Sequence, residues 1–312
     1  MEKYIFGIDI GGTTIKCGLF GAQGELLEKW EIPTRRENAG ENVLGDVAKT
    51  ILAKQEERGI SKEDIIGAGV GVPGPVRADG TVLKCANLGW GITKASEILG
   101  NMTGLKVKVA NDANVAALGE MWKGGGKGYE DVVMITLGTG VGGGVIIGGN
   151  VVAGSNGGGG EIGHIIVNPH ETDLCGCGGH GHLEQYASAT GIVRLAKKRL
   201  AEDNTETKLR AFSALTAKNI FDCAKESDAV AMELVDLLGK YLASALKHVA
   251  ATVDPQVFVI GGGVSKAGEI LLNAVRAHYN ENLLYALQNK EFRLAKLGND
   301  AGIYGSARLL VD

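Results

Sequence analysis

Glycine placement limits this chain more than any other feature. The 49 glycines among 312 residues are gathered, not periodic, at 7–12, 67–74, 138–149, 154–163, 176–181 and 261–263. Most of these clusters close a run of β-branched and apolar residues, as Gly261-Gly262-Gly263 closes Val257-Phe258-Val259-Ile260. Glycine inside regular structure costs about 0.5–1 kcal/mol, so clusters at strand ends belong to turns that need left-handed backbone or close approach to a ligand. Several such turns imply an α/β chain with bare N–H groups at strand ends, and phosphate is the ligand best served by them.

Hydrophobic periodicity divides the rest. Residues 3–10 read as a buried strand, Gly11-Gly12 as a tight turn, and 14–20 and 25–32 as two further strands joined by Gly21-Ala22-Gln23-Gly24. A helix follows over 41–58, on Val43, Val47, Ile51 and Leu52, and stops at Gly59. A strand at 65–72 ends on Pro73-Gly74-Pro75, then come a short helix at 93–99 and a strand at 106–110. Asn111-Asp112 precede a helix over 113–122 that runs into Gly124-Gly125-Gly126. A second series starts with strands at 131–137 and 144–147 and continues with helices at 189–202, 216–225 and 227–253. It closes with a strand at 257–260, a helix over 265–287, a strand at 292–297 and a helix over 301–310. Both series open strand, glycine turn, strand. That echo implies a duplicated α/β pair with a ligand cleft between the halves. The length exceeds one comfortable core, so we expect a small domain of residues 1–115 plus 300–312 and a large one of 116–299.

A net charge of −4 with no basic run offers nothing to nucleic acid, and no stretch approaches 18 uninterrupted apolar residues, so no membrane span is expected. The N-terminus enters a strand without a secretory leader, which points to the cytoplasm, and the five cysteines are then expected as reduced thiols.

Two turns are candidate phosphate cradles. In Asp9-Ile10-Gly11-Gly12-Thr13-Thr14-Ile15-Lys16 the amides and threonine hydroxyls could donate to phosphate oxygens, Asp9 could hold hydrated Mg²⁺, and Lys16 could offset charge. It is not a Walker A loop, because no Gly-Lys-Ser/Thr follows and no helix starts there. Gly-Gly between strands is also a good hairpin turn, but Gly138-Thr139-Gly140 stands in the same relation to the second series and strengthens the phosphate reading. The run from Gly138 to Gly143 formally matches a dinucleotide fingerprint; strand follows it, where that fingerprint needs a helix, so a dehydrogenase is rejected. Gly261, Gly262 and Gly263, between a strand and a helix, could lie against a nucleoside or simply bring the two elements close.

The acceptor side is less pointed. Asp112 stands where a strand meets a helix; it could merely cap N–H groups, or, ionised at neutral pH, take a hydroxyl proton during phosphoryl transfer. Gly71 belongs to a rigid turn, Gly71-Val72-Pro73-Gly74-Pro75, and Asn87, Asn111, Glu161, His164 and Glu184 suit a polyol. From Glu161 to Glu184 the chain also holds His164, Cys175, Cys177 and His182, a set that zinc accepts in a closed tetrahedral site. A structural zinc there would hold a long loop in one shape, with His164 free to donate from its second ring nitrogen. Ordinary loop cysteines would also account for Cys175 and Cys177, while a disulfide between residues two apart would be strained.

Together Asp9-Ile10-Gly11-Gly12-Thr13-Thr14 with Lys16, Gly71-Val72-Pro73-Gly74-Pro75, Asn87-Leu88, Asn111-Asp112-Ala113-Asn114 and Leu137-Gly138-Thr139-Gly140 resemble the ROK family. Glu161-Ile162-Gly163-His164, Cys175-Gly176-Cys177-Gly178 with Leu183-Glu184, and Gly261-Gly262-Gly263 extend the likeness over essentially the whole chain, and within the family it is similar to the bacterial glucokinases. The resemblance implies a two-domain, actin-like (ribonuclease H-like) ATPase fold and transfer of the γ-phosphate of ATP, with Mg²⁺, to glucose. It makes Asp112 the base for the sugar 6-hydroxyl, and Asn111, Glu161, His164 and Glu184 sugar ligands. It further implies domain closure on sugar and a homodimer. The family pattern has a third cysteine where this chain has His182, leaving His180 as a possible substitute ligand. A kinase for N-acetylmannosamine, fructose or allose is the main rival; a sugar-sensing repressor would need a helix-turn-helix ahead of the first strand, and this chain reaches Asp9 at once.

Overall fold

The structure, a computed structural model, describes residues 2–311; residues 1 and 312, which fall within the expected small domain, lie outside the described residues. Its opening is the expected meander. Strands β1 (Tyr4–Ile10), β2 (Thr14–Gly21) and β3 (Leu26–Pro33) pair antiparallel in sequence. After a short turn of helix α1 (Glu37–Gly40) and helix α2 (Val43–Glu57), β4 (Ile65–Val72) pairs parallel with β1. Helix α3 (Ala95–Thr103), β5 (Val107–Asn111) and helix α4 (Asp112–Lys123) follow, with β5 parallel to β4.

The second series repeats this plan. It comprises β6 (Val132–Leu137), β7 (Val141–Ile147), β8 (Asn150–Val151), α5 (Glu184–Ala187), α6 (Ala189–Glu202), α7 (Ala217–Lys225), α8 (Ala229–Val253), β9 (Val257–Gly261), α9 (Glu269–Tyr279), β10 (Glu291–Leu294) and α10 (Ala301–Arg308). The sheet orders are β3-β2-β1-β4-β5 and β10-β9-β6-β7-β8. Read from β8, the second order matches the first strand for strand, so the sequence echo is a topological duplication.

Two compact units result, one of residues 1–130, 144–160 and 297–312, the other of 131–143 and 161–296. The first is larger than the expected small domain because α4 and α10 pack backbone to backbone. A Cβ on Gly305 would stand 1.6 Å from the Val115 carbonyl oxygen, and one on Gly119 would stand 2.2 Å from that of Ala301. The second of these contacts crosses the expected boundary at residue 115. The core of this unit gathers Ile8, Ile10, Val70 and Val72 with Val43, Val47 and Ile51 of α2; Leu52, expected on that face, is exposed. On the other face of the sheet, Ile5 and Phe20 pack on Ile303 and Ala307 of α10. In the second unit Val133, Ile135, Phe258 and Ile260 are fully buried, as are Leu238, Leu242 and Leu246 along one face of α8.

Three elements depart from expectation. The helix over 265–287 is broken by Gly268 at φ +80°, and α9 ends at Tyr279; Asn282 then takes a left-handed angle that no helix tolerates. The strand expected at 292–297 ends at Leu294. The strand expected from 144 begins at Val141, its glycines lending it to close packing: a Cβ on Gly144 would meet Ala117 and the Ala113 carbonyl of α4.

Many clustered glycines thus serve packing. Gly7 and Gly69 lie inside strands, where a Cβ would collide with the Ile303 and Ser306 carbonyls of α10. Gly124 gives way to Glu120, a wholly buried carboxylate that accepts the Gly125 amide (2.7 Å) through Oε2 and the Leu297 amide (2.7 Å) through Oε1.

Candidate active site

In the first unit the candidate residues gather at the C-terminal ends of β1, β4 and β5. Asp9 pairs with Lys16 across the first hairpin and with Gly71 on β4. The turn is closed by Gly11 N–H donating to the Thr14 carbonyl (3.0 Å) and by the Thr34 hydroxyl donating to the Gly11 carbonyl (2.7 Å). A Cβ on Gly12 would meet nothing within 4 Å and Thr13 is exposed, so this tip is open to a ligand. The Lys16 ammonium donates to the Asn299 carbonyl (3.0 Å). Burial raises the Asp9 carboxyl from its usual value to about 6; Lys16 opposes the shift and Asp112 adds to it. The bare face of Gly302, at the start of α10, lies against that carboxylate. A half-buried acid disfavoured as an anion is suited to a divalent cation, which would supply the missing positive charge.

Asn111 is the cap of α4: its Oδ1 accepts from the Ala113 and Asn114 amides (2.9 and 3.1 Å), and its Nδ2 donates to the Gly74 carbonyl (3.1 Å) and to Asp112 Oδ1 (2.9 Å). Asp112 is the first helical residue, oriented by that amide and by the Ala113 N–H (2.9 Å). With capping already done by Asn111, Asp112 is not needed as the cap. Gly71 lacks a Cβ because Val115 of α4 would be 2.6 Å from it; Asn87 is exposed in the turn between Cys85 and Trp90.

In the second unit the Gly138-Thr139-Gly140 turn docks on α5 and α6. The Ala189 N–H donates to the Gly138 carbonyl (2.8 Å), and the Thr190 hydroxyl to that of Thr139 (2.7 Å). Glu184 reaches the same turn: its Oε2 accepts the Val141 amide (3.0 Å), and a Cβ on Gly140 would stand 2.1 Å from that oxygen. Its Oε1 accepts the Cys175 thiol at 3.6 Å.

His164, Cys175, Cys177 and His182 bring one ligand atom each to within 4.8 Å of one another. Nδ1 of His182 lies 3.4 Å from Nδ1 of His164 and 3.3 Å from Sγ of Cys177. The chemistry of this set, two thiols and two imidazoles, and its spacing fit a tetrahedral zinc with bonds of about 2.0–2.3 Å. His182, and not His180, is in the cluster. Nε2 of His164 points to Glu161, 4.0 Å away.

The three glycines after β9 divide in role. Gly262, at φ +83°, lies against the Leu137 backbone, and Gly261 against Met134 and Ala295. Gly263 has nothing within 4 Å of its Cβ position and lines a cavity of about 210 Å³. Its other walls are Ala189, Ala217, Phe221, Val264 and Ala267, with Lys218, Lys225, Lys266 and Asp222 at polar positions. None of the residues from α7 stood out in sequence; the signal there is the Thr216–Asn219 capping box that starts the helix against the cavity.

The ROK family model matches residues 5–312. This chain belongs to the ROK family. Within the family it is 43% identical over 315 residues to a glucokinase of Halalkalibacterium halodurans, covering 99% of this chain and 95% of that one. It is 35% identical to a glucokinase of Thermotoga maritima, covering 98% and 96%. Among solved structures, the ROK family glucokinase of Streptomyces griseus in complex with glucose and AMPPNP matches with a TM-score of 0.73 and 34% identity over 98% of both chains. The fold is accordingly the actin-like ATPase fold of ROK sugar kinases, and the duplicated sheets are its signature. Among the described residues, no helix is long and apolar enough to cross a membrane.

Proposed function

We propose that this protein is a glucokinase, transferring the γ-phosphate of ATP to the 6-hydroxyl of glucose. The observation that carries this reading is the 43% identity to a glucokinase across nearly the full length of both chains. In this reading Asp112 accepts the hydroxyl proton. The bonds from the Asn111 amide and the Ala113 N–H keep its carboxylate aimed, which is what a general base requires beyond its charge. Phosphoryl transfer asks the protein mainly to position and neutralise. Gly11, Gly12, Thr13 and Thr14 offer amides and hydroxyls to phosphate, Lys16 a charge, and Asp9 a seat for hydrated Mg²⁺. Gly138, Thr139 and Gly140 serve the same end, and the cavity beside Gly263 takes the nucleoside.

Gly71, Asn87, Asn111, Glu161, His164 and Glu184 are the proposed sugar residues. Zinc would be held by His164, Cys175, Cys177 and His182, where it supplies a crosslink and no reacting group. As a zinc ligand Cys175 would be a thiolate and would no longer donate to Glu184, which would leave Oε1 open to a sugar hydroxyl. We further propose a cytoplasmic homodimer.

A coupled assay of ATP-dependent phosphorylation across glucose, mannose, fructose, allose, N-acetylmannosamine and N-acetylgalactosamine tests the reading. Highest kcat/KM on glucose is expected; a tenfold preference for another sugar transfers the assignment to that sugar, and no turnover on any of them overturns it.

A further inference from the structure

We propose that Arg194 is a positioning residue for the acceptor pocket: with Glu171 it forms a metal-independent brace that sets the turn carrying Glu184. The inference rests on the sugar-kinase reading above and adds residues that no ligand motif contains. Zinc would tie His164 to Cys175, Cys177 and His182, and so crosslink only the two ends of the intervening loop. The segment starts as a hairpin, with the Val167 amide donating to the Gly181 carbonyl (2.8 Å) and the Leu183 amide to that of Ile165 (2.9 Å). Beyond that pairing the stretch is held across the hairpin only at its ends, by the Asn168 amide on the Gly181 carbonyl (3.2 Å) and by the Leu174–His180 bridge, and residues 169–173 between them bulge out as a loop.

Glu171 ties down that loop. Its side chain is 7% exposed, and Oε1 accepts the amides of Thr172 (3.0 Å) and Asp173 (3.1 Å). Oε2 accepts the Tyr186 hydroxyl (2.6 Å) and faces Arg194 Nη2 (2.9 Å). Burial alone would raise this carboxyl, but the bonds from Tyr186, the Asp173 amide and Arg194 outweigh it and hold it at about 2. The anion is therefore built into the loop at any working pH.

Arg194, on α6, joins that anion to the pocket. Its Nη1 donates to Asp173 (2.8 Å), while Nε and Nη2 donate to the Gln185 carbonyl (3.3 and 3.1 Å), next to Glu184. Gln185 answers by donating from Nε2 to the Asp173 carbonyl (2.8 Å) and accepting the His182 amide (3.1 Å). The guanidinium also lies 5.2 Å from the centre of the buried Tyr186 ring. Only a planar fork of donors makes all of these bonds at once, so lysine is a poor substitute.

The test compares Arg194→Ala and Arg194→Lys with the parent enzyme, on the best sugar of the panel. Arg194→Ala is expected to raise the sugar KM at least about tenfold, with the ATP KM within about twofold and metal content per chain unchanged. Arg194→Lys, which keeps the charge but not the fork, should fall between. An unchanged sugar KM, a parallel rise in both KM values, or loss of metal overturns the proposal. Should the variants fail to fold, amide hydrogen exchange on the parent protein decides. Thr172 and Asp173 should stay protected after chelation, and their loss of protection overturns a metal-independent brace. A parent enzyme that phosphorylates no sugar would defeat the kinase reading, while the exchange result still bears on the brace.

Discussion

Asp112 owes its candidacy to a neighbour. Because Asn111 takes over the capping bonds, the Asp112 carboxylate is oriented at a helix start without being consumed there. Asp112→Asn keeps shape and hydrogen-bonding reach but cannot accept the proton. Turnover should fall at least about 100-fold, with sugar affinity by calorimetry nearly unchanged; a variant within a few-fold of the parent would sink the base assignment. Asp9 gives a prediction of opposite sign for stability. Its carboxyl is raised to about 6 by burial, so the folded state holds a proton that the unfolded chain releases near pH 4. Stability therefore declines as pH rises through that window, and the cost persists above it. Asp9→Asn should stabilise the metal-free protein at pH 7.5 by about 1–3 kcal/mol, with the gain gone below pH 4, while turnover collapses. Denaturant midpoints at the two pH values measure this. For the metal, His182→Ala should lose zinc and His180→Ala keep it, as read by metal analysis, because only His182 stands with His164 and the two cysteines.

At the level of elements, α4 and α10 show what periodicity alone leaves undecided. Their glycines read as weak helix positions, yet Gly119 and Gly305 bring the two backbones into contact. Gly119→Ala should destabilise by about 3 kcal/mol or more, since carbonyl groups and not flexible side chains stand in the way. Gly45→Ala in α2, with open space at its Cβ position, should stabilise by about 0.5–1 kcal/mol. Thermal denaturation of the two variants, compared side by side, separates packing glycines from incidental ones. The strands and most helices were legible because each has a local period. The 265–287 helix was not, because its break depends on Gly268 adopting a left-handed angle, which an isolated glycine in an apolar run does not announce.

Over the molecule as a whole, the matched orders of the two sheets make the chain a duplicated fold whose halves have diverged. The first carries Asp9 and Asp112, the second the cluster of His164, Cys175, Cys177 and His182 and the cavity beside Gly263. A ligand that binds only folded protein stabilises it by mass action. Glucose at 100 times its Kd should add about 2.7 kcal/mol and raise the melting temperature by several degrees; no shift with glucose beside a clear one with another hexose would move the substrate assignment.

The amino-acid sequence was enough for the strand–turn–strand repeat and for singling out Asp112 and the two cysteines and two histidines that the fold brings together, because each rests on residue types close together in the chain. Tertiary structure alone decided which glycines stand open at a turn and which make room for a helix, since a missing side chain reads the same for both. It also decided that Glu184 leans on the Val141 amide and that Glu171, Tyr186 and Arg194 act together. Such groups acquire meaning only when folding brings distant segments within hydrogen-bond range in a desolvated place.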